Sequence, residues 1–283
     1  MAEATVAAVA DVVEPLPSST VVLLREESGV DAPFSLLMLE RHGSVTFPGV
    51  HAFPGGVVDP GDHDVSGAAL PANQAWAAPG EGDRPPDALP YWVAAVRELF
   101  EEVGILLARA GERALEGPLP PELTAQRARV HGGHPFGAFL EEHGLRPATD
   151  TLYSFARWIT PRQNPRRFDT RFLVGRMPRG QEACADGTET VSCEWYTPRA
   201  ALEAYERGDI MLIPPTVRTL DDLAGFPSLD AVLDDARRRV VRALRPDVVD
   251  GRGVPTLSYP DNTGHPELPP RKLVLRDGRW RPE

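Results

Sequence analysis

Short apolar runs separated by turn-forming residues dominate the hydrophobic pattern of the chain. The runs STVVLLR (19–25) and FSLLMLER (34–41) flank SGVDAP, and this pattern predicts two strands joined by a turn. Three later runs also predict strands: TLYSFARWIT (151–160), RFDTRFLVGRM (167–177) and TETVSCEWYTP (188–198). We therefore expect a sheet assembled from strands that lie far apart along the chain.

Helical periodicity fills much of the remaining sequence. It begins near Pro90 and runs to Val103, where Gly104 supplies the residue that a helix C-terminus favours. Further predicted helices are 120–131, 136–144, 200–208, 214–225 and 228–245. The pattern predicts one α+β domain with a mixed β-sheet and appended helices.

The predicted domain has flanking segments of different composition. We assign residues 1–17 to a flexible N-terminus, residues 18–245 to the domain and residues 246–283 to a Pro/Gly-rich C-terminal tail. In the tail, RKLVLRDGRW predicts one edge strand. Within the domain, residues 63–88 show neither helical nor strand periodicity, which predicts a loop insertion.

Composition narrows the classes of partner. A net charge of −11 and a pI near 5.2 argue against nucleic-acid binding, which depends on many basic side chains. Two cysteines are too few for a disulfide framework. The N-terminus lacks the basic residues of a leader, and no apolar run approaches the roughly 20 residues that span a bilayer. We expect a cytoplasmic protein without a membrane partner, and a homodimer stays open.

Candidate chemistry is concentrated in RELFEE (97–102). Residues three and four apart share one helix face, so Glu98, Glu101 and Glu102 are expected on the same side of the predicted helix. Like charges at this spacing repel, and a divalent cation such as Mg²⁺ or Mn²⁺ would relieve the repulsion. A solvated acidic face is the alternative interpretation.

An earlier glycine loop, FPGGVVDPGD (53–62), follows the predicted strands. Gly55 and Gly56 allow the backbone to approach a ligand closely, although the same dipeptide also occurs in ordinary turns.

Together the two stretches resemble the signature of the Nudix hydrolases. The second half matches at every defined position: Arg97, Glu98, Leu99, Glu101, Glu102, Gly104 and Ile105. In the first half Gly56 fits the signature glycine, and Asp62 stands where the family has glutamate. Residues 63–96 separate the halves, so the insertion splits the signature. All three glutamates follow the insertion and lie on one predicted helix, so the insertion would leave a metal site there intact. Lengthening a loop also costs little free energy.

The resemblance implies the Nudix fold, in which a mixed β-sheet is sandwiched between helices, here with a loop insertion inside the signature and extra C-terminal helices. It also implies a role for each matched residue. Glu98, Glu101 and Glu102 would bind Mg²⁺ or Mn²⁺, with Glu101 also a candidate base. Arg97 would organise the carboxylates, and Asp62, or Asp59 in its place, would orient Arg97. The catalytic residues would then be Glu101, Arg97 and Glu98.

The split signature and its flanking sequences resemble the Nudix-19 type, whose animal member cleaves coenzyme A. This resemblance implies metal-dependent hydrolysis of a small-molecule nucleoside diphosphate derivative, coenzyme A or acyl-coenzyme A, to two phosphomonoesters. ADP-ribose, NADH or a dinucleotide is the alternative substrate. A catalytically degenerate Nudix domain that binds a ligand as a regulator is the alternative function.

Substrate binding is assigned to Gly55, Gly56, Arg41, Arg166 and Arg167. The last two lie in PRQNPRRFDTRF, a basic run that would bind phosphate or would simply pair with local acids. Some family members take a base from a later loop, and Glu182, Glu189 and Glu194 lie in a suitable segment. We expect the insertion to cover the rim of the pocket, so that deleting residues 66–86 changes substrate preference more than stability.

Overall fold

The computed structural model describes residues 13–27, 33–42, 49–72, 74, 88–251, 254–259 and 271–283. The first strands are β1 (Leu16–Glu26), β2 (Phe34–Arg41), β3 (His51–Ala52) and β4 (Gly55–Val57). Helix α1 (Leu89–Val103) follows, then β5 (Ala108–Ala110), β6 (Arg113–Ala114), α2 (Pro121–His131), α3 (Phe136–Glu142) and β7 (Leu145–Pro147).

The second half of the chain completes the main sheet and adds a further sheet. It contains β8 (Tyr153–Ile159), β9 (Phe168–Arg176), β10 (Thr190–Tyr196), α4 (Pro198–Arg207), α5 (Pro214–Leu223), α6 (Leu229–Arg238) and β11 (Ala243–Leu244). The last strands are β12 (Asp247–Gly251), β13 (Val254–Tyr259), β14 (Arg271–Arg276) and β15 (Arg279–Pro282).

A mixed sheet in the order β10-β2-β1-β9-β8-β11 forms the centre of the domain. β1 runs parallel to β9 and antiparallel to β2, while β3 pairs with β2 and β4 with β1. Alternate residues of β1 enter opposite cores: Val21 and Leu23 face α1, α2 and α3, whereas Val22 and Leu24 face α4, α5 and α6. Burial on both faces explains the nearly continuous apolar runs. The predicted α+β fold with a mixed sheet between helices is confirmed.

The C-terminal tail differs from the sequence prediction. It forms a four-stranded antiparallel sheet, β12-β13-β14-β15, where one edge strand was expected. Leu257 and Leu273 join the core beneath α4 to α6, and Arg279 donates to the carbonyl oxygen of Tyr205 at 2.8 Å. The reason is a hairpin at Asp277, whose φ is 52°, which turns RKLVLRDGRW into two strands.

The start of the insertion is part of the folded core. Thr149 exchanges hydrogen bonds of 2.9 and 2.6 Å with the amide and carbonyl of Ala69. The buried Gln74 donates to the carbonyl oxygen of Ala236 at 2.9 Å and accepts from the amide of Ser154 at 2.6 Å. Deleting residues 66–86 would therefore remove these contacts, and the expectation that the deletion changes substrate preference more than stability stays a prediction. Residues 75–87 lie outside the described residues.

Candidate active site

The end of helix α1 presents the acidic residues next to a buried apolar face. Val96, Leu99, Phe100 and Val103 are buried in the core. Gly104 ends the helix with φ of 72°, and its amide donates to the carbonyl oxygen of Phe100 at 3.0 Å. A positive φ of this size favours glycine, which explains the sequence signal at this position.

Arg97 is held by the first half of the signature. Asp62 accepts two hydrogen bonds from the Arg97 guanidinium, one from Nε and one from Nη2, both at 3.0 Å. Nη2 also donates to the carbonyl oxygen of Val57 at 2.9 Å. Asp59 lies 3.8 Å from the guanidinium and is 62% exposed, against 1% for Asp62. Asp62 is therefore the main partner, although it is shorter than the glutamate of the signature.

The remaining guanidinium nitrogen orders two of the three glutamates. Arg97 Nη1 donates to Glu98 at 2.9 Å and to Glu101 at 3.1 Å. Burial alone would lower the pKa of Arg97, but the hydrogen bonds to Asp62 and the neighbouring carboxylates raise it above its ordinary range. Arg97 is thus a permanently charged centre of this cluster.

Gly55 and Gly56 lie directly against the other carboxylates. The Gly55 amide donates to Glu102 Oε2 at 2.7 Å. A Cβ atom at Gly56 would lie only 2.3 Å from Glu98 Oε1, so a side chain there would displace the Glu98 carboxylate. At Gly55 a Cβ would lie 2.2 Å from the carbonyl oxygen of Ser19. Backbone packing requires glycine at position 55, whereas Gly56 leaves room for the Glu98 carboxylate. The predicted contact of both glycines with substrate stays a prediction.

Glu98 and Glu102, called the carboxylate pair below, are buried together. Burial raises the pKa of Glu98 to about 7. Burial, followed by the negative charge of Glu98, raises the pKa of Glu102 well above its ordinary value. The Gly55 amide and Arg41, whose Nη1 lies 4.0 Å from Glu102, offset only part of this effect. The nearby positive groups therefore do not fully compensate the two negative charges that Glu98 and Glu102 carry when both are ionised.

Comparison with known proteins decides the family of this site. The family model described as the NUDT19 Nudix domain matches residues 70–223, which is more than half of the chain. The chain belongs to the Nudix hydrolase family. It is 30% identical over 234 aligned residues to human acyl-coenzyme A diphosphatase NUDT19, covering 69% of this chain and 62% of the relative.

Two further relatives support the same assignment. The chicken acyl-coenzyme A diphosphatase NUDT19 is 29% identical over 237 residues, covering 70% of this chain and 63% of the relative. A crystal structure of a Nudix hydrolase from Alicyclobacillus acidocaldarius superimposes with a TM-score of 0.65 and 28% identity, covering 78% of this chain and 96% of that one. The chain spans about three fifths of the length of the human and chicken relatives.

The donor set of the Nudix site suits a hard divalent cation in chemistry and charge. Carboxylate oxygens are the ligands that Mg²⁺ and Mn²⁺ prefer, and a cation would supply the charge that the carboxylate pair lacks. The Glu101 carboxylate accepts a hydrogen bond from Arg97 and is not part of the carboxylate pair. Among the described residues, no group of three or more His, Cys, Asp or Glu side chains is already arranged to hold a metal ion. The predicted three-glutamate ligand set therefore stays a prediction.

A later acidic residue reaches the same Nudix site. Burial is the main cause of the raised pKa of Glu98 and Glu102, and the negative charge of Glu189 adds to it. The carbonyl oxygen of Glu189 accepts a 2.8 Å hydrogen bond from the amide of His42. Glu194 instead accepts from the hydroxyl of Tyr196 at 2.6 Å. Of the three candidates in this segment, Glu189 has the structural support.

The apolar pattern of TETVSC predicts a strand from residue 188, but the structure places Glu189 in a turn. The strand β10 begins only at Thr190, and a bulge separates Thr190 from Ser192. Bulges of this kind often lie beside active sites. The Asp186-Gly187 dipeptide, a turn signal, could have located this turn.

The basic run divides into a structural and an exposed part. Arg167 is buried and donates to the carbonyl oxygens of Thr160 at 3.1 Å and Val13 at 2.5 Å. Its guanidinium donates to the backbone in this structure, and its assignment to substrate binding stays a prediction. Arg166 is exposed, with its guanidinium carbon 5.2 Å from the centre of the Phe168 ring. Its role in substrate binding stays a prediction.

The helices give no membrane signal. Within the described ranges, none of them combines the length and the apolar character that crossing a bilayer requires.

Proposed function

We propose that this Nudix hydrolase cleaves the diphosphate linkage of coenzyme A or an acyl-coenzyme A into two phosphomonoesters. One observation carries the proposal: Arg97, oriented by Asp62, holds Glu98, and the Gly55 amide holds Glu102, so that both buried carboxylates lie against the Gly55-Gly56 backbone. The names of the human and chicken relatives support the substrate class.

The carboxylate pair would hold Mg²⁺ or Mn²⁺, with Glu101 as a further ligand or as the base. Such a cation would neutralise charge on the diphosphate and activate water for attack on phosphorus. Arg97 fixes the direction of Glu98 and Glu101, while the Gly55 amide fixes Glu102. Glu101 and Glu189 are the two candidates for accepting the proton of the water molecule.

The exposed Arg166 supports a site for the 3′-phosphate of coenzyme A. Leu16 of β1 pairs with Phe168, and two residues further along β1 Ser18 pairs with Val57, which follows the glycines. The turn that carries Arg166 therefore lies at the same end of the sheet as the carboxylate pair. A guanidinium suits phosphate oxygens well.

The experiment is a hydrolysis assay with Mg²⁺ or Mn²⁺ on coenzyme A, an acyl-coenzyme A, ADP-ribose, NADH and a diadenosine polyphosphate. We expect the highest kcat/KM for the first two, with an adenosine bisphosphate and a phosphopantetheine compound as products. Glu98→Gln and Glu102→Gln should abolish turnover, whereas Glu203→Gln, at an exposed position of α4, serves as the matched control.

Three results would contradict the proposal in different ways. A preference for ADP-ribose, NADH or a dinucleotide would overturn the substrate class. Binding of coenzyme A with no turnover, unchanged by Glu102→Gln, would favour the ligand-binding regulator. For the 3′-phosphate site, Arg166→Ala should raise KM for coenzyme A but not for dephospho-coenzyme A, and an equal effect on both would remove Arg166 from this role.

A further inference from the structure

The turn that carries Glu189 is organised by one carboxylate. Asp186 Oδ2 accepts from the amide of Glu189 at 3.0 Å and from the hydroxyl of Thr188. Asp186 Oδ1 accepts from the amide of Thr190 at 2.8 Å and from its hydroxyl at 2.6 Å. Each carboxylate oxygen therefore has two donors, an arrangement that an amide side chain cannot reproduce, because it has a single acceptor oxygen.

The same turn contacts both the end of α1 and the end of β2, the two elements on either side of it. Thr190 is 1% exposed, and its hydroxyl oxygen lies 3.3 Å from the carbonyl oxygen of Glu102. On the other side, Thr190 pairs with Arg41 at the end of β2, and the amide of His42 donates to the carbonyl oxygen of Glu189. The backbone of Glu189 is consequently held between β2 and the end of α1.

We infer that Asp186 and Thr190 are positioning residues that hold Glu189 beside the carboxylate pair. This inference rests on the proposed function, because it assigns Asp186 and Thr190 a role in the same hydrolysis of a diphosphate. The half-buried Glu189 carboxylate accepts no hydrogen bond within the described part of the chain, so its position depends on the turn beneath it.

Burial alone would raise the pKa of Asp186, but the hydrogen bonds from Thr188, Thr190 and the Glu189 amide lower it below its ordinary range. Asp186 is therefore ionised whenever the enzyme works, and the turn keeps all four hydrogen bonds. A turn locked in this way presents Glu189 in one position, which is what a group acting on a nearby water molecule or cation requires.

A double-mutant cycle tests whether Asp186 acts through Glu189. The variants are Asp186→Asn, Glu189→Gln and the double variant, with Glu203→Gln, at an exposed position of α4, as the control. We expect each single variant to lower kcat about tenfold to a hundredfold with a smaller change in KM. The double variant should be no slower than Glu189→Gln alone, because the positioning residue has nothing left to position.

Two threonine variants separate positioning from general stability. Thr190→Val keeps the buried shape and removes the hydroxyl, whereas Thr190→Ser keeps the hydroxyl. We expect a loss of kcat in the valine variant and its retention in the serine variant. Hydrogen exchange should show faster exchange of the Glu189 and Thr190 amides in Asp186→Asn, with the rest of the domain unchanged.

The affinity for Mn²⁺ supplies a readout that does not depend on turnover. Glu189→Gln should raise the Kd for Mn²⁺ about threefold to tenfold, since it removes a negative charge near the cation. Asp186→Asn should raise the Kd in the wild-type background but not in the Glu189→Gln background.

The outcomes distinguish the two proposals. If the wild type hydrolyses no diphosphate, the proposed function fails, and the Mn²⁺ cycle alone decides the positioning role. If Asp186→Asn lowers kcat and Mn²⁺ affinity equally in both backgrounds, or leaves them unchanged, the positioning role is overturned while the hydrolase proposal stands.

Discussion

Asp62 and Arg97 join the two halves of a signature that 34 residues, 63 to 96, separate in the sequence. Both carboxylate oxygens of Asp62 lie 3.0 Å from the guanidinium, which in turn donates to Glu98 and Glu101. A buried two-point contact of this kind fixes the plane of the guanidinium. The insertion therefore leaves the geometry of the carboxylate site intact.

The first prediction concerns this contact. Asp62→Ala should lower the free energy of unfolding by about 3–5 kcal/mol, because it leaves the charge of Arg97 buried without its main partner. It should also lower kcat/KM, since Glu98 and Glu101 lose their orientation. Urea unfolding and steady-state kinetics measure the two effects. Asp59→Ala is the control, because Asp59 is exposed and should change either quantity little. Equal effects of the two variants would contradict the assignment of Asp62.

The second prediction concerns the space beside Glu98. Gly56→Ala places a Cβ where Glu98 Oε1 lies, so we expect the carboxylate to be displaced and the affinity for Mn²⁺ to fall at least tenfold. Gly61→Ala is the matched control, because a Cβ there meets no atom within 4 Å. Isothermal titration with Mn²⁺ compares them. Unchanged affinity in Gly56→Ala would show that Glu98 does not hold the cation.

The third prediction is a dependence of stability on pH in the metal-free protein. The folded-state pKa of Glu98 is raised from 4.5 to about 7, so the folded protein holds a proton that the unfolded chain has already released. The stability contribution of Glu98 is therefore present at low pH and is lost as pH rises from about 4.5 to about 7.

Urea unfolding in EDTA checks this prediction in the wild type and Glu98→Gln. Between about pH 5 and pH 8, the wild type should lose on the order of 2 kcal/mol relative to the variant, because glutamine does not ionise. Added Mg²⁺ at the higher pH should restore the wild type more than the variant. A difference between the two proteins that is the same at both pH values would contradict the burial of Glu98 as a charge-deficient group.

The fourth prediction concerns the insertion. Gln74→Ala should lower the free energy of unfolding by about 1–3 kcal/mol, because it leaves the buried Ser154 amide without its acceptor. The exposed Gln163→Ala is the control and should lie within about 0.5 kcal/mol of the wild type. Thermal or urea unfolding measures both. If Gln74→Ala proves neutral, the insertion is a surface loop after all.

Local patterns were sufficient to predict the helix of the carboxylate site. The apolar stripe through Leu99 and Phe100 and the terminating Gly104 both act within a few residues, so the sequence shows where α1 lies and where it ends. The same holds for the antiparallel β1 and β2. These elements depend on periodicity and on backbone preferences that a single segment carries.

Contacts between distant segments could not be predicted in this way. Arg166 and Arg167 are adjacent and chemically identical, yet Arg166 is exposed and Arg167 is buried. The guanidinium of Arg167 donates to the carbonyl oxygens of Thr160 and Val13, which lie in other segments of the chain. The sequence around Gln74 predicts a polar loop, but in the structure its side chain forms hydrogen bonds with the backbone of Ser154 and Ala236. Such roles are decided by tertiary packing, which periodicity does not report.

The parallel pairing of β1 with β9 has a consequence for the nascent chain. Thr20 of β1 pairs with Gly55 on one side and with Phe172 on the other, so the strand that supports the glycines is itself completed by a segment synthesised much later. Contacts between such distant positions form slowly, and synthesis proceeds from the N-terminus. On the ribosome, both halves of the signature therefore emerge well before the strand that completes their support, and catalytic competence arrives late in translation.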